Sequence, residues 1–227
     1  CAIAVDAQDK LSMLLSAKAD LPEQDYQQLQ NFSQRQAMAV TVVHSEQPYA
    51  AALFSSPEQT RRYYLNEAMS IEYQAGDFTQ VNSAINQQMI KQLIAWLELS
   101  GQDVVADYFC GIGNLSLPMA AGCQQVQAYE LVESMVAKAS ANAVANGLTN
   151  IEFICADLFS PQLSPVHTAN KIVLDPPRAG AKQLCELLTQ QKADKLLYIS
   201  CNPATLARDA ELLQQGGYVL SRAALID

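Results

Sequence analysis

Five short, mostly apolar runs, Val104 to Phe109, Val126 to Tyr129, Ile151 to Cys155, Ile172 to Leu174 and Leu196 to Ile199, punctuate the chain from residue 104 onward. Each is mostly apolar, broken only by Asp107, Gln127 and Glu152, as strands largely buried in a sheet require, and helical stretches separate most of them. Strands of this kind, joined through helices, form a parallel α/β sheet. Such a sheet places its chemistry outside the carboxyl ends of the strands. The residues just beyond these runs are therefore the ones to read for function: Gly111-Ile112-Gly113, Glu130, Asp157, Asp175 and Cys201.

The last unit, Lys195 to Asp209, reads KLLYISCNPATLARD. Its apolar run ends in Ser200-Cys201-Asn202-Pro203, and a helix begins near Ala204, so one thiol stands at a strand tip followed by a rigid turn. Free cysteine usually packs as an inert small hydrophobe. Cys201 becomes the candidate nucleophile because of its neighbours. The run Val104 to Phe109 leads into Cys110-Gly111-Ile112-Gly113-Asn114, a glycine-rich turn that lets backbone approach a ligand, and a short helix follows from Leu115. Glu130 ends the next strand, where a carboxylate accepts hydrogen bonds from ribose hydroxyls. The turn lacks the third glycine of a pyrophosphate cradle, which favours a nucleoside without phosphates, such as S-adenosylmethionine.

A helix from Val132 to Asn146, closed by Gly147, leads to the third strand and to Asp157, placed to meet an adenine amino group. After the fourth strand, Asp175-Pro176-Pro177-Arg178 holds a carboxylate on a turn stiffened by two prolines, and a helix near Lys182 to Leu188 follows. Upstream, Phe78-Thr79-Gln80-Val81-Asn82 enters a helix whose Ile85, Met89, Leu93 and Leu97 recur every four positions, with Ile90 and Ile94 alongside. The strand expected last is Tyr218 to Ile226.

The first seventy residues carry no chemical motif. Cys1 to Val5 and Leu11 to Ser16 flank Asp9-Lys10 as a hairpin, Leu21 to Ala37 reads as a helix, and Ala39 to Val43 as a strand. Ser45 to Glu67 reads as a polar loop, with Arg61-Arg62-Tyr63-Tyr64 as a surface cluster; His44 and His167 read as structural or solvated. The chain of 227 residues is half hydrophobic, and its net charge of −9 argues against strong, self-contained nucleic-acid binding. Six scattered cysteines without a Cys-x-x-Cys pair read as reduced thiols, with no metal site expected. With no apolar run of ~20 residues and no signal peptide, the expected location is cytoplasmic, away from membranes.

The set FTQVN, DYFCGIGN, YE, LDPPRAG and SCNPATLARD resembles the RNA uracil-5 methyltransferases that use S-adenosylmethionine, nearest the branch acting on bacterial 23S rRNA. The resemblance implies a Rossmann-like class I methyltransferase sheet over 71–227, preceded by a small α+β central domain over 1–70. It implies Cys201 as the nucleophile that adds to carbon 6 of uracil, with Gln80, Phe109, Asn114, Glu130, Asp157 and Asp175 around the cofactor. Phe78, Gln80 and Asp175 then face the target base. It further implies a general base in a motif beyond Asp227, a final antiparallel strand there, and an RNA-binding domain with an iron–sulfur cluster upstream of Cys1. The chain therefore reads as a fragment, expected to bind cofactor weakly and to methylate RNA poorly on its own. The alternatives are a tRNA uracil-5 methyltransferase and a non-catalytic RNA-binding or assembly module with a vestigial methyltransferase fold.

Overall fold

The computed structural model describes residues 2–5, 11–45, 52–55, 61–74, 77, 79–80, 82–160 and 169–226. The chain divides into two compact units, Cys1–Ser83 and Ala84–Asp227. The boundary expected after residue 70 cuts a strand, since Ser70–Tyr73 pairs with Arg61–Tyr64 and stays with the first unit.

In the first unit, β1 (Ala2–Val5) pairs antiparallel with β2 (Leu11–Ala17), as the hairpin pattern predicts; its turn lies outside the described residues. Helix α1 (Glu23–Gln36) carries the chain to β3 (Ala39–His44), which runs parallel to β2, and β4 (Phe54–Ser55) closes a sheet of order β1-β2-β3-β4. The stretch read as a polar loop ends differently. Arg61–Tyr64 is β5, hairpinned to β6 (Ser70–Tyr73), and Arg61 is only 1% exposed. Strand alternation sends Arg61 and Tyr63 inward, while Arg62 reaches out to pair with Glu72. The basic and aromatic cluster is thus half core and not a surface patch.

The second unit holds α2 (Ser83–Leu97), β7 (Val104–Tyr108), α3 (Ser116–Ala120), β8 (Gln125–Glu130), α4 (Glu133–Ala145), β9 (Ile151–Cys155), β10 (Lys171–Leu174), α5 (Lys182–Leu188), β11 (Lys195–Tyr198) and α6 (Pro203–Gln215). The buried stripe of α2 is Asn86, Ile90, Leu93 and Leu97, one position off the expected start. Ile85 and Met89 stay partly exposed because Asn86 turns inward to a polar partner described below.

Strands β7 to β11 form one all-parallel sheet in the order β11-β10-β7-β8-β9. Its registers align Tyr198, Leu174, Tyr108, Tyr129 and Ile154 in a single row across the sheet. On that face Ala106, Tyr108, Ile172 and Leu174 pack with Leu184, Cys185 and Leu188 of α5 and Leu213 of α6. The opposite face meets α3, where Ser116 reaches Asp107. At the other end of the strands, Asn170 accepts from Val104 N–H (2.9 Å) and donates to Asp103 (2.6 Å) and Asp194 (3.0 Å), tying the starts of β7, β10 and β11.

Tyr218 to Ile226, expected as a strand, forms none. The Tyr218 hydroxyl donates to Gln191 O at 2.7 Å, but Val219, Leu220 and Leu225 stand exposed. Its apolar residues supply the side-chain pattern of a strand; a strand also needs a ladder, and among the described residues no strand pairs with this one. Among the described residues no helix is long and apolar enough to cross a membrane.

Leu174, fully buried in the middle of the packed face, tests this architecture. Leu174→Ala is expected to lower unfolding stability by about 2–5 kcal/mol in urea titration, and a loss below about 1 kcal/mol would contradict the packing described.

Candidate functional site

The row Tyr198–Leu174–Tyr108–Tyr129–Ile154 is the last that all five strands share, and it fixes what lies beyond it. One residue further stand Ile199, Asp175, Phe109, Glu130 and Cys155. The register therefore brings Phe109, Glu130 and Asp175 to one edge, with Asn114 on the turn after β7, Asp157 two residues past β9 and Cys201 three past β11. Gln80 is half-buried and belongs to the first unit; Phe78 lies outside the described residues, as does His167.

The turn after β7 is built from strained backbone. Phe109 has φ +70, and both its N–H and that of Cys110 donate to Tyr129 O, at 2.9 and 3.0 Å. A non-glycine residue held left-handed costs on the order of 1 kcal/mol or more, and such strain gathers where function needs a fixed geometry. Gly113, at φ +98, has no room for a side chain, since a Cβ would collide with Leu117 Cδ1. Beside Gly111 the space is open, with nothing within 4 Å of where its Cβ would sit.

Glu130 is locked in place. Oε2 accepts from Gly111 N–H at 3.1 Å and Oε1 from Val132 N–H at 3.0 Å. Each carboxylate oxygen keeps a further lone pair, so the group is a pre-oriented double acceptor beside the open side of the glycine turn. Asn114 exchanges two amide hydrogen bonds with the buried Asn86 of α2, at 2.9 and 3.0 Å, which fixes the far end of the turn. Asp157 accepts from Phe159 N–H at 2.9 Å, and the Phe159 ring lies 5.7 Å from that of Phe109. This aromatic pair escaped the sequence reading; its one signal was an aromatic two residues past a strand-end acid.

Two carboxyls hold protons unusually tightly. Burial raises Asp175 to about 6. Burial raises Asp107 to about 7 against the pull of a 2.5 Å hydrogen bond from Ser116 Oγ, and the negative charges of Asp175 and Glu130 push it further. Asp107 Oδ1 is buried and has no hydrogen-bond partner among the described residues. Sequence reading passed over Asp107 because a lone acid inside an apolar run carries no spacing signal.

Cys201 is exposed and carries a free thiol. Asn202 caps α6 by accepting from Ala204 N–H at 3.1 Å, and Pro203 takes the first helical position, where a missing N–H is tolerated. Asn202 Nδ2 and Thr205 Oγ1 both donate to Arg178 O, at 3.1 and 3.2 Å, which joins the thiol's loop to the loop that begins at Asp175. Among the described residues no three His, Cys, Asp or Glu side chains gather as metal ligands.

The model of a family described as tRNA (uracil-5-)-methyltransferase matches residues 7–227. The 23S rRNA (uracil(1939)-C(5))-methyltransferase RlmD of Haemophilus influenzae (strain 86-028NP) is 41% identical over 229 residues, covering 98% of this chain and 50% of that protein. The RlmD of Hahella chejuensis is 37% identical over 236 residues, covering 99% and 53%. The chain thus spans about half the length of the curated relatives it matches. Among solved structures, the Pyrococcus abyssi tRNA (uracil-54, C5)-methyltransferase in complex with S-adenosyl-L-homocysteine superposes with a TM-score of 0.68 at 21% identity, covering 92% of this chain and 51% of that one. That likeness supports the Rossmann-like fold.

Protonation of Asp107 makes a testable statement about stability. Between its ordinary value of 3.8 and about 7 the folded chain keeps a proton that the unfolded chain releases, so stability falls as pH rises through that window. The loss has an upper bound of about 4 kcal/mol. Asp107→Asn cannot ionise, so its urea midpoint is expected to drop less between pH 4 and pH 8 than the parent's; equal drops would remove the buried acid from the account.

Proposed function

Because the chain belongs to the tRNA (uracil-5-)-methyltransferase family, we propose that it carries the catalytic core of an enzyme that methylates carbon 5 of a uridine in 23S rRNA, with S-adenosylmethionine as methyl donor. The ribosomal substrate is preferred to tRNA because relatives named for 23S rRNA share 37–41% identity over nearly the whole chain, against 21% for the tRNA enzyme. The observation that carries the reading is the shared register. It gathers Glu130, Asp175 and, past β11, an exposed thiol at one edge of the sheet.

The residues present fit the donor. Glu130, with both oxygens fixed and lone pairs to spare, receives the ribose hydroxyls, and the open side of Gly111 leaves room for a nucleoside to lie against backbone. We assign the adenine to Asp157 and the Phe109–Phe159 pair, a reading supported by their place past the ends of β9 and β7, with Asn114 fixing the turn after β7. When bound, S-adenosylmethionine supplies an electrophilic methyl on a sulfonium.

The chain's own part is to make carbon 5 nucleophilic. The Cys201 thiolate adds to carbon 6 of uracil, a carbon–sulfur bond forms, and the electron pair of the 5,6 double bond moves into an enolate with carbanion character at carbon 5. After carbon 5 is alkylated, loss of its proton to a base and expulsion of the thiolate restore the double bond. Asp175 is placed to accept from the uracil ring N–H, and its value of about 6 leaves it mainly ionised at pH 7.5. Gln80 and Phe78 are proposed as further contacts to the base. The base must first be drawn from its stack, at a cost of a few kcal/mol.

Full-length protein mixed with 5-fluorouracil RNA and S-adenosylmethionine tests the central step. A covalent protein–RNA adduct is expected by mass spectrometry, and its loss in Cys201→Ser; an adduct that survives the substitution would defeat the reading. Glu130→Ala is expected to weaken S-adenosylhomocysteine binding at least about tenfold in calorimetry, the worth of two lost charged hydrogen bonds. Unchanged affinity would move the nucleoside elsewhere, and no binding by the parent would favour a non-catalytic module.

A further inference from the structure

The loop that carries Cys201 is stapled to the Asp175 loop at a second place, behind the Arg178 contacts. Asp209, in the second turn of α6, is wholly buried. Its Oδ2 accepts from the Tyr198 hydroxyl at 2.6 Å and from Ala181 N–H at 2.7 Å. Its Oδ1 accepts from Arg208 at 2.8 Å through Nε and 2.7 Å through Nη2, and Arg208 Nη2 also donates to Ala179 O at 2.9 Å. One carboxylate thus binds the last residue of β11, the helix after the thiol and the loop after Asp175.

The packing around it is close. Gly180 sits at φ +76, and a Cβ there would lie 2.5 Å from both Arg208 Nη2 and Asp209 Oδ2. A buried carboxylate is tolerated only when its lone pairs are filled, and here four donors fill them. Cys201 lies between the two anchored points, Tyr198 before it and Arg208-Asp209 after it.

We propose that Asp209, acting through Tyr198 and Arg208, is a positioning residue for the Cys201 thiol, holding the nucleophile's loop at a fixed offset from Asp175. The inference rests on the reading of Cys201 as nucleophile. In this assignment the three residues act on the loop and not on the substrate. They determine whether the sulfur meets carbon 6 while Asp175 holds the same ring, an alignment in which a displacement of about 1 Å costs about a hundredfold in rate.

The test uses full-length protein carrying Tyr198→Phe or Arg208→Gln, each of which removes one arm and leaves Asp209 with its other donors. Turnover on an rRNA fragment is normalised to the fraction of molecules that finally form an adduct with 5-fluorouracil RNA, so that unfolded protein does not count. kcat per competent site is expected to fall about tenfold or more in Arg208→Gln and less in Tyr198→Phe, with KM for S-adenosylmethionine within about twofold of the parent. A lowered Tm with parental kcat per competent site is what a merely structural cluster gives, and it overturns the proposal. Cys201→Ser, assayed alongside, separates the two ideas: retained methylation there defeats the nucleophile, not the clamp. In that event the rate of Cys201 alkylation by iodoacetamide still reads the loop. It is expected to rise in Arg208→Gln, and an unchanged rate overturns the clamp.

Discussion

In a parallel sheet the strands share a direction, so a common register turns five separate strand ends into a single edge, and a side chain's place on that edge follows from its count beyond the last shared row. Here that row is Tyr198–Leu174–Tyr108–Tyr129–Ile154. The Tyr108 and Tyr129 rings stack across it, 5.0 Å apart, beneath the residues that turn outward. A slip of one residue in any strand would send its tip to the other face. Burial of Ile172, Leu174, Ala106 and Tyr108 on one side makes such a slip costly, so the position of each reactive group is set by the hydrophobic packing beneath it.

Around this edge the groups that hold are buried or paired, and the group proposed to react is exposed. Asn86 and Asn114 satisfy each other, Glu130 is fixed by two backbone N–H groups, and Asp209 is filled by four donors. In a low-dielectric interior each of these arrangements has few alternatives, because releasing a partner strands a polar group away from water. Cys201 sits in the interval between such fixed points. Rigidity is thereby delivered to an exposed side chain from the residues on either side of it.

The strands and their tips were legible because mostly apolar runs recur between helical stretches, and because glycine, acid and thiol stand out at their ends. Glu130 and Asp175 needed no tertiary knowledge beyond the sheet type. Asp107 and Asp209 were not legible: each interrupts or follows an ordinary pattern, and its meaning comes from partners in other elements, Ser116 for one, Tyr198 and Ala181 for the other. Arg61 failed for a related reason. Its charge argued for solvent, while the β5–β6 hairpin assigned it to the inward face by parity alone. Tyr218 to Ile226 shows the converse, a strand pattern that no ladder realises among the described residues.

Burial of the acids also bears on how a chain with a formal charge of −9 would accept a polyanion at this edge. Four carboxyls stand at or just beneath it, Glu130, Asp157, Asp175 and Asp107, and fully ionised they would repel phosphate over the ~8 Å that salt leaves unscreened. Burial raises two of them, but Asp175, at about 6, stays mainly ionised at neutral pH, and only Asp107, at about 7, is substantially protonated there. Glu130 accepts from the Gly111 and Val132 N–H groups, and Asp157 from Phe159 N–H, so both point their charge at backbone donors. On the proposed reading the same desolvation serves two ends. It leaves Asp175 ionised enough to accept from a uracil N–H, and by holding a proton on part of the Asp107 population it removes some negative charge beneath the edge that an RNA strand approaches.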